Sequence, residues 1–112
     1  MLFTGLTTTF LKEFLFDIWV TSPLLLSLAL IITALGQFVG KKEGWSPSDS
    51  FYWSFITATT VGYGDIKPQR KLSKLLSIVI ALTGLTMTGI LVAVAVHSAT
   101  IALAAHDAAM KR

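Results

Sequence analysis

From Leu75 to Ala105 the chain has 31 residues without a single Asp, Glu, Lys or Arg. As a helix that run is about 46 Å long, more than the roughly 30 Å hydrocarbon core of a bilayer, so a helix over 72–105 is expected to span a membrane and project beyond it. A second apolar run, Pro23 to Val39, has 17 residues. It gives about 26 Å of helix, enough to span with help from its flanks. Only 13% of residues are charged and 54% are hydrophobic, against about 25% charged in an average soluble domain. The fold class is therefore an all-α membrane protein with two transmembrane helices, and the lipid bilayer is its first partner. The absence of cysteine removes any disulfide framework and any thiolate metal site. A net charge of +3 could suit nucleic acid, but six of the nine basic residues lie between the two apolar runs and no nucleic-acid motif accompanies them. No nucleic-acid partner is expected; a loop at a membrane surface is the reading. Met1 to Phe10 carries no basic residue and no cleavage site follows, so the first span is expected to act as its own insertion signal.

Phe10, Leu11, Phe14, Leu15, Ile18 and Trp19 recur at helical spacing opposite Lys12, Glu13 and Asp17, with Thr9 as N-cap. This predicts an amphipathic helix lying in the membrane interface within an N-terminal segment 1–22. Ser22-Pro23 then reads as an N-cap followed by proline at the first helical position, which predicts a new outer helix over 23–39. Gly40 to Trp45 is a charged turn. Ser46-Pro47-Ser48-Asp49 carries the signals of another helix start. The helix over 47–59 is roughly 20 Å long, too short to cross a bilayer. A re-entrant helix fits that length, with its partly negative C-terminal end pointing toward the centre of the membrane. The other reading, a buried core helix, has no core to occupy in a two-span hairpin. Ile66 to Lys74 returns to the surface with Pro68 and four basic residues, and 107–112 is a C-terminal tail. There are no internal repeats, low-complexity tracts or voltage-sensor patterns.

Between the short helix and the return lies Thr57-Ala58-Thr59-Thr60-Val61-Gly62-Tyr63-Gly64-Asp65. An ordinary strand sends successive carbonyls to opposite sides, whereas ions in single file need them aimed at one axis. Alternating backbone handedness achieves that. Glycine adopts left-handed conformations readily, and Gly62 and Gly64 occupy every second position. Val61 and Tyr63 then face away, toward a supporting helix. A bare Gly-Tyr-Gly could equally be a turn without a ligand. The full run resembles the selectivity filter of potassium channels, and Thr60 to Gly64 is identified as that filter by its known TVGYG sequence.

From Pro23 to about His106 the chain resembles the two-helix pore module of prokaryotic potassium channels, with outer helix 23–39, pore helix 47–59, filter 60–64 and inner helix 72–105 inside a pore domain 23–106. The resemblance implies potassium-selective passive conduction by a homotetramer in the cell membrane, with both termini cytoplasmic. It implies no catalytic residues and no cofactor. K⁺ is the permeant ion, held by the carbonyls of Thr60, Val61, Gly62 and Tyr63 and the Thr60 hydroxyl. A weakly selective cation channel is the nearest alternative, and a non-conducting scaffold hairpin a more distant one.

By the same resemblance Trp53 is an aromatic cuff behind the filter with Tyr63 as partner, and Tyr52, Ile56 and Asp65 are further filter supports. Gly84 is either a hinge in the inner helix or a small residue that lets the pore helix approach closely. Leu85, Thr88, Val92, Val96 and Thr100 form a stripe that would line the cavity and gate. His97 is a proton sensor or an interfacial histidine without a role, and His106, beside Asp107, an exposed tail residue. The chain departs from the family pattern in three places. Ile56 stands where several relatives carry a glutamate that pairs with the aspartate after the filter. Six basic residues lie in the extracellular loop, against Lys12, Lys111 and Arg112 on the cytoplasmic side, the reverse of the positive-inside tendency. The sequence stops soon after the inner helix, so any regulatory domain or subunit lies outside this chain.

Overall fold

The computed structural model describes residues 2–111. It consists of α1 (Leu2–Glu43), α2 (Pro47–Ala58) and α3 (Lys71–Met110), with no strand among the described residues. α1 and α3 are each long and apolar enough to cross a membrane.

α1 is a single helix where the sequence predicts a break at Ser22-Pro23. The division into a segment 1–22 and an outer helix 23–39 is thus corrected. Proline has no N–H to offer the carbonyl one turn back. Ser22 Oγ donates to that carbonyl instead, Trp19 O, at 2.7 Å, so the helix continues. α1 also runs on through Gly40, the expected start of a turn, and ends at Gly44. There φ is 78°, and Trp45 N donates to Gly40 O at 2.9 Å. This six-residue cap needs a left-handed residue, which glycine supplies without strain.

The first half of α1 does not divide cleanly into the two predicted faces. Glu13 and Asp17 are half-buried, as are Phe10, Phe14 and Ile18, while Leu11, Lys12, Leu15 and Trp19 are exposed. The cause lies within the compact unit formed by the chain up to Pro23 and from Gly89 onward. There Ser98 Oγ donates to Asp17 Oδ2 at 3.2 Å, turning the carboxylate toward α3. α3 extends through Met110, past the predicted inner-helix end at Ala105. Most of the expected tail is thereby helical, and His106 is half-buried.

The other compact unit, Leu24–Thr88, holds α2. Its buried core is Ile32 and Val39 of α1, Trp53 and Ala58 of α2, and Ile80 of α3. α2 starts as its sequence predicts, with Ser46 Oγ accepting from Asp49 N at 3.1 Å and Pro47 in the first turn. Gly36 and Gly40 of α1 face Ser54 and Ser50 of α2. A Cβ on either glycine would lie 2.7 Å from the facing serine Cβ, so only glycine lets the helices approach this closely. Both serine hydroxyls are buried and satisfied within their own helix, Ser50 Oγ donating to Ser46 O and Ser54 Oγ to Ser50 O.

Candidate functional site

α2 ends in a turn whose amides close back onto it. Thr59 N donates to Phe55 O, Thr60 N to Thr57 O and Gly62 N to Ile56 O, at 2.9, 3.1 and 3.1 Å. These bonds satisfy carbonyls that a helix end leaves open. Beyond the turn the backbone alternates in handedness, with φ of 65° at Thr60, 54° at Gly62 and 80° at Gly64. The glycines were legible in the sequence. Thr60 was not, because a β-branched residue rarely takes a positive φ. Thr60 Oγ1 spends its proton on Thr59 O at 2.6 Å, which leaves its oxygen lone pairs available as acceptors.

Val61 and Tyr63 are 48% and 71% exposed, so no helix of their own chain covers them. Trp53 is buried against Trp45, with ring centroids 5.1 Å apart. The expected Trp53–Tyr63 pair is not formed within the chain.

Asp65 follows the alternating segment and lies near Tyr52. Loss of solvation, then interaction with Asp65, hold the Tyr52 phenol above its usual range. The phenol is therefore neutral beside the carboxylate. Behind the segment lies a cavity of about 240 Å³, lined by Tyr52, Trp53, Ile56, Asp65 and Ser77 among others. Ile56 and Asp65 thus line one cavity, an apolar side chain and a carboxylate on the same wall.

Glu43, a residue outside the predicted set, holds the far end. The Glu43 side chain is 4% exposed; its Oε1 accepts from Gln69 N, and its Oε2 lies 3.8 Å from Arg70 Nε. The end of α1 is thereby tied to the segment that leaves the site. Lys67, itself exposed, lays its stem toward Gly64, with Cε 3.6 Å from where a Cβ would be. The only sequence signal for Glu43 is an acid at the end of a basic helix turn. The signal for the α1–α2 seam was clearer, a pair of small residues four apart on each helix.

On α3, Gly84 is buried against the backbone of Ala58. A Cβ there would lie 2.5 Å from the Ala58 carbonyl carbon and nearer still to its oxygen. Close approach is therefore observed, and α3 is continuous through Gly84. Leu85, Thr88, Val92, Val96 and Thr100 are all exposed, so this face of α3 is left uncovered by its own chain. His97 is exposed and shares a cavity with Asp17.

Comparison with known proteins gives consistent matches. The model of a family described as ion channel matches residues 23–100. The TWiK family of potassium channels protein 7 of Caenorhabditis elegans is 42% identical over 66 residues, 58% of this chain and 12% of that protein. A voltage-gated potassium channel of Aeropyrum pernix is 41% identical over 44 residues, 39% of this chain and 15% of that protein. Two-pore potassium channel 4 of Arabidopsis thaliana is 53% identical over 36 residues, 32% of this chain and 13% of that protein. The chain therefore spans at most 15% of the length of these three relatives. No solved structure matches it.

Proposed function

This chain belongs to the ion-channel family, matched over residues 23–100, and we propose that four copies of it surround one axis and conduct K⁺ selectively and passively. The observation that carries the reading is the alternation of positive φ at Thr60, Gly62 and Gly64 in a run reading Thr-Val-Gly-Tyr-Gly. Such a backbone can aim successive carbonyls at one line. There the carbonyls of Thr60, Val61, Gly62 and Tyr63 and the Thr60 oxygen replace the water around a dehydrated K⁺. Relatives named as potassium channels support this choice of ion. Conduction down a gradient makes and breaks no covalent bond, so it asks for no catalytic group and no cofactor.

α2 supplies the electrostatics. Its C-terminal end carries partial negative charge and favours a cation waiting below the filter. The face Leu85, Thr88, Val92, Val96 and Thr100 then lines the path, and both termini are cytoplasmic. The basic residues of the outer loop are partly engaged already. Arg70 lies against Glu43, Lys42 sits 5.6 Å from the Phe38 ring centroid, and Lys67 leans on Gly64. That weakens the charge argument against this orientation.

The test is the reversal potential of the purified protein in a bilayer with K⁺ on one side and Na⁺ on the other. A value near the K⁺ equilibrium potential is expected. A value near zero would replace this reading with a weakly selective channel, and absence of current with a non-conducting hairpin.

A further inference from the structure

Trp45 stands between two helix ends, and both fix it. Its backbone N–H donates to Gly40 O at 2.9 Å, across the left-handed Gly44 that closes α1. The next residue, Ser46, caps α2 through its hydroxyl. With the backbone held from both sides, the indole is half-buried and packs against the core around Ile32, Val39 and Trp53. Its ring meets that of the buried Trp53 with centroids 5.1 Å apart and planes tilted by 60°, a favourable arrangement for two aromatic rings. Within the chain, the aromatic partner of Trp53 is therefore Trp45.

The same pair borders the end of the alternating segment. Gly64, Asp65, Ile66 and Lys67 lie in the walls of two cavities, one of about 380 Å³ that Trp45 also lines and one of about 240 Å³ that Trp53 lines. A void offers a neighbouring backbone no contacts, so the segment is free to yield toward either space unless something stiff stands there. Gly64 is the sensitive point. The planar peptide group that joins it to Tyr63 carries the Tyr63 carbonyl, the last of the four carbonyls proposed to hold the ion. A shift of Gly64 turns that carbonyl away from its line.

We propose that Trp45 is a positioning residue for ion selection. Backed by Trp53, its ring keeps Gly64 and Asp65 from settling into the adjoining space and so keeps the Tyr63 carbonyl aimed at the ion. Supports of this kind act on an ion site without touching the ion. The rigid plane of the ring is what the arrangement uses, since an aliphatic side chain of similar reach has more rotamers and yields more easily. The role in selection rests on the channel reading above.

The experiment measures the Na⁺ to K⁺ permeability ratio, from reversal potentials in planar bilayers, and the thermal midpoint of the wild type, Trp45→Phe, Trp45→Leu and Trp19→Leu. Trp19, exposed on α1, controls for loss of a tryptophan elsewhere. Trp45→Leu is expected to raise the ratio about tenfold, the lower end of what an ion site loses with such a support, while Trp45→Phe and Trp19→Leu stay within about twofold of wild type. If Trp45→Leu does not fold, Trp45→Met, flexible and without a ring, takes its place with the same expectation. A ringless variant whose ratio matches wild type while its midpoint falls would make Trp45 a packing residue and overturn the proposal, as would equal loss of selectivity in Trp45→Phe and Trp45→Leu. A wild-type reversal potential near zero would instead reject the channel reading, and the role in selection with it.

Discussion

Substituting Gly84 by alanine separates two roles that a glycine in a long membrane helix can play. A Cβ at Gly84 would lie 2.5 Å from the Ala58 carbonyl carbon and 2.6 Å from its Cα, where ordinary contact begins at 3.4 Å. The shortfall is at least 0.9 Å (3.4 − 2.5). Because the opposing atoms are backbone, no rotamer relieves it. The end of α2 must move, and Thr60 begins the alternating segment only two residues beyond Ala58. Overpacking of this kind costs about 1–3 kcal/mol, which exceeds the ~1 kcal/mol that alanine gains over glycine inside a helix. Gly89 is the internal control. Nothing lies within 4 Å of a Cβ there, so Gly89→Ala keeps the helix gain of ~0.5–1 kcal/mol without a clash. The assay is the thermal midpoint of the purified protein together with K⁺ flux from vesicles. At ~4–8 °C per kcal/mol for a domain of this size, Gly84→Ala is expected to melt several degrees below wild type with reduced flux, while Gly89→Ala melts at or above it. If Gly84 serves only as a hinge, alanine stiffens α3 without strain. A Gly84→Ala midpoint equal to or above wild type would refute the packing argument.

Four further outcomes follow from the site. Gly62→Ala is expected to abolish K⁺ conduction with insertion intact. No atom lies within 4 Å of the new Cβ, so the loss comes from the left-handed backbone, at roughly 1–2 kcal/mol per residue; unchanged conductance and selectivity would remove the filter assignment. Lys67→Tyr should convert weak external tetraethylammonium block at low ionic strength into stronger block, by trading a cation beside Gly64 for an aromatic face; equal block in both proteins would place residue 67 away from the mouth. Glu43→Gln keeps an acceptor for Gln69 N and loses only the pairing with a largely exposed Arg70, so its midpoint should stay within about 1 kcal/mol of wild type, whereas Glu43→Ala leaves that amide unpaired and should cost about 1–3 kcal/mol. Tyr52→Phe removes the hydroxyl beside Asp65. Because the Tyr52 phenol is held above its ordinary range, any wild-type advantage should be constant through neutral pH and fade only as pH rises past about 10, as read by current decay across a pH series.

What the sequence made legible depended on whether a local rule or a tertiary contact decided the outcome. The start of α2 followed from Ser46-Pro47-Ser48-Asp49, because capping is a local matter of donors and acceptors. The left-handed positions at Gly62 and Gly64 were readable because glycine is the residue that takes them without strain. At Ser22-Pro23 the local rule failed: the same serine that can cap a new helix can also mend an old one, and here its hydroxyl goes to Trp19 O. The mixed faces of the first half of α1 have a related cause. Periodicity separates polar from apolar faces but does not say which face meets another helix, and Ser98, 81 residues away, gives Asp17 an inward partner. Glu43 is a long-range feature of the same kind, ordinary in sequence until Gln69 and Arg70 are laid against it, whereas the Gly36/Gly40 seam left a pattern of small residues four apart that names no partner by itself.

The contacts around α2 divide into those the chain completes and those it leaves open. At its start and middle, Ser50 and Ser54 are locked against Gly40 and Gly36; at its end, Ala58 is locked against Gly84; beyond the site, Glu43 holds Gln69. Two of these three contacts need glycine, so neither can be widened by a Cβ without moving a helix. Both ends of the Thr60–Gly64 segment are therefore fixed by one chain. Its middle is not, since Tyr63 is 71% exposed and Val61 48%. A segment whose backbone is strained at Thr60 persists when its surroundings over-determine it, and the single chain supplies such surroundings only at the ends. The cover for Val61 and Tyr63 has to come from outside the chain, and in the four-copy arrangement proposed above a neighbouring copy would provide it. On this argument, a substitution such as Tyr63→Ala should weaken association between copies while leaving the α1–α2–α3 packing of each copy intact.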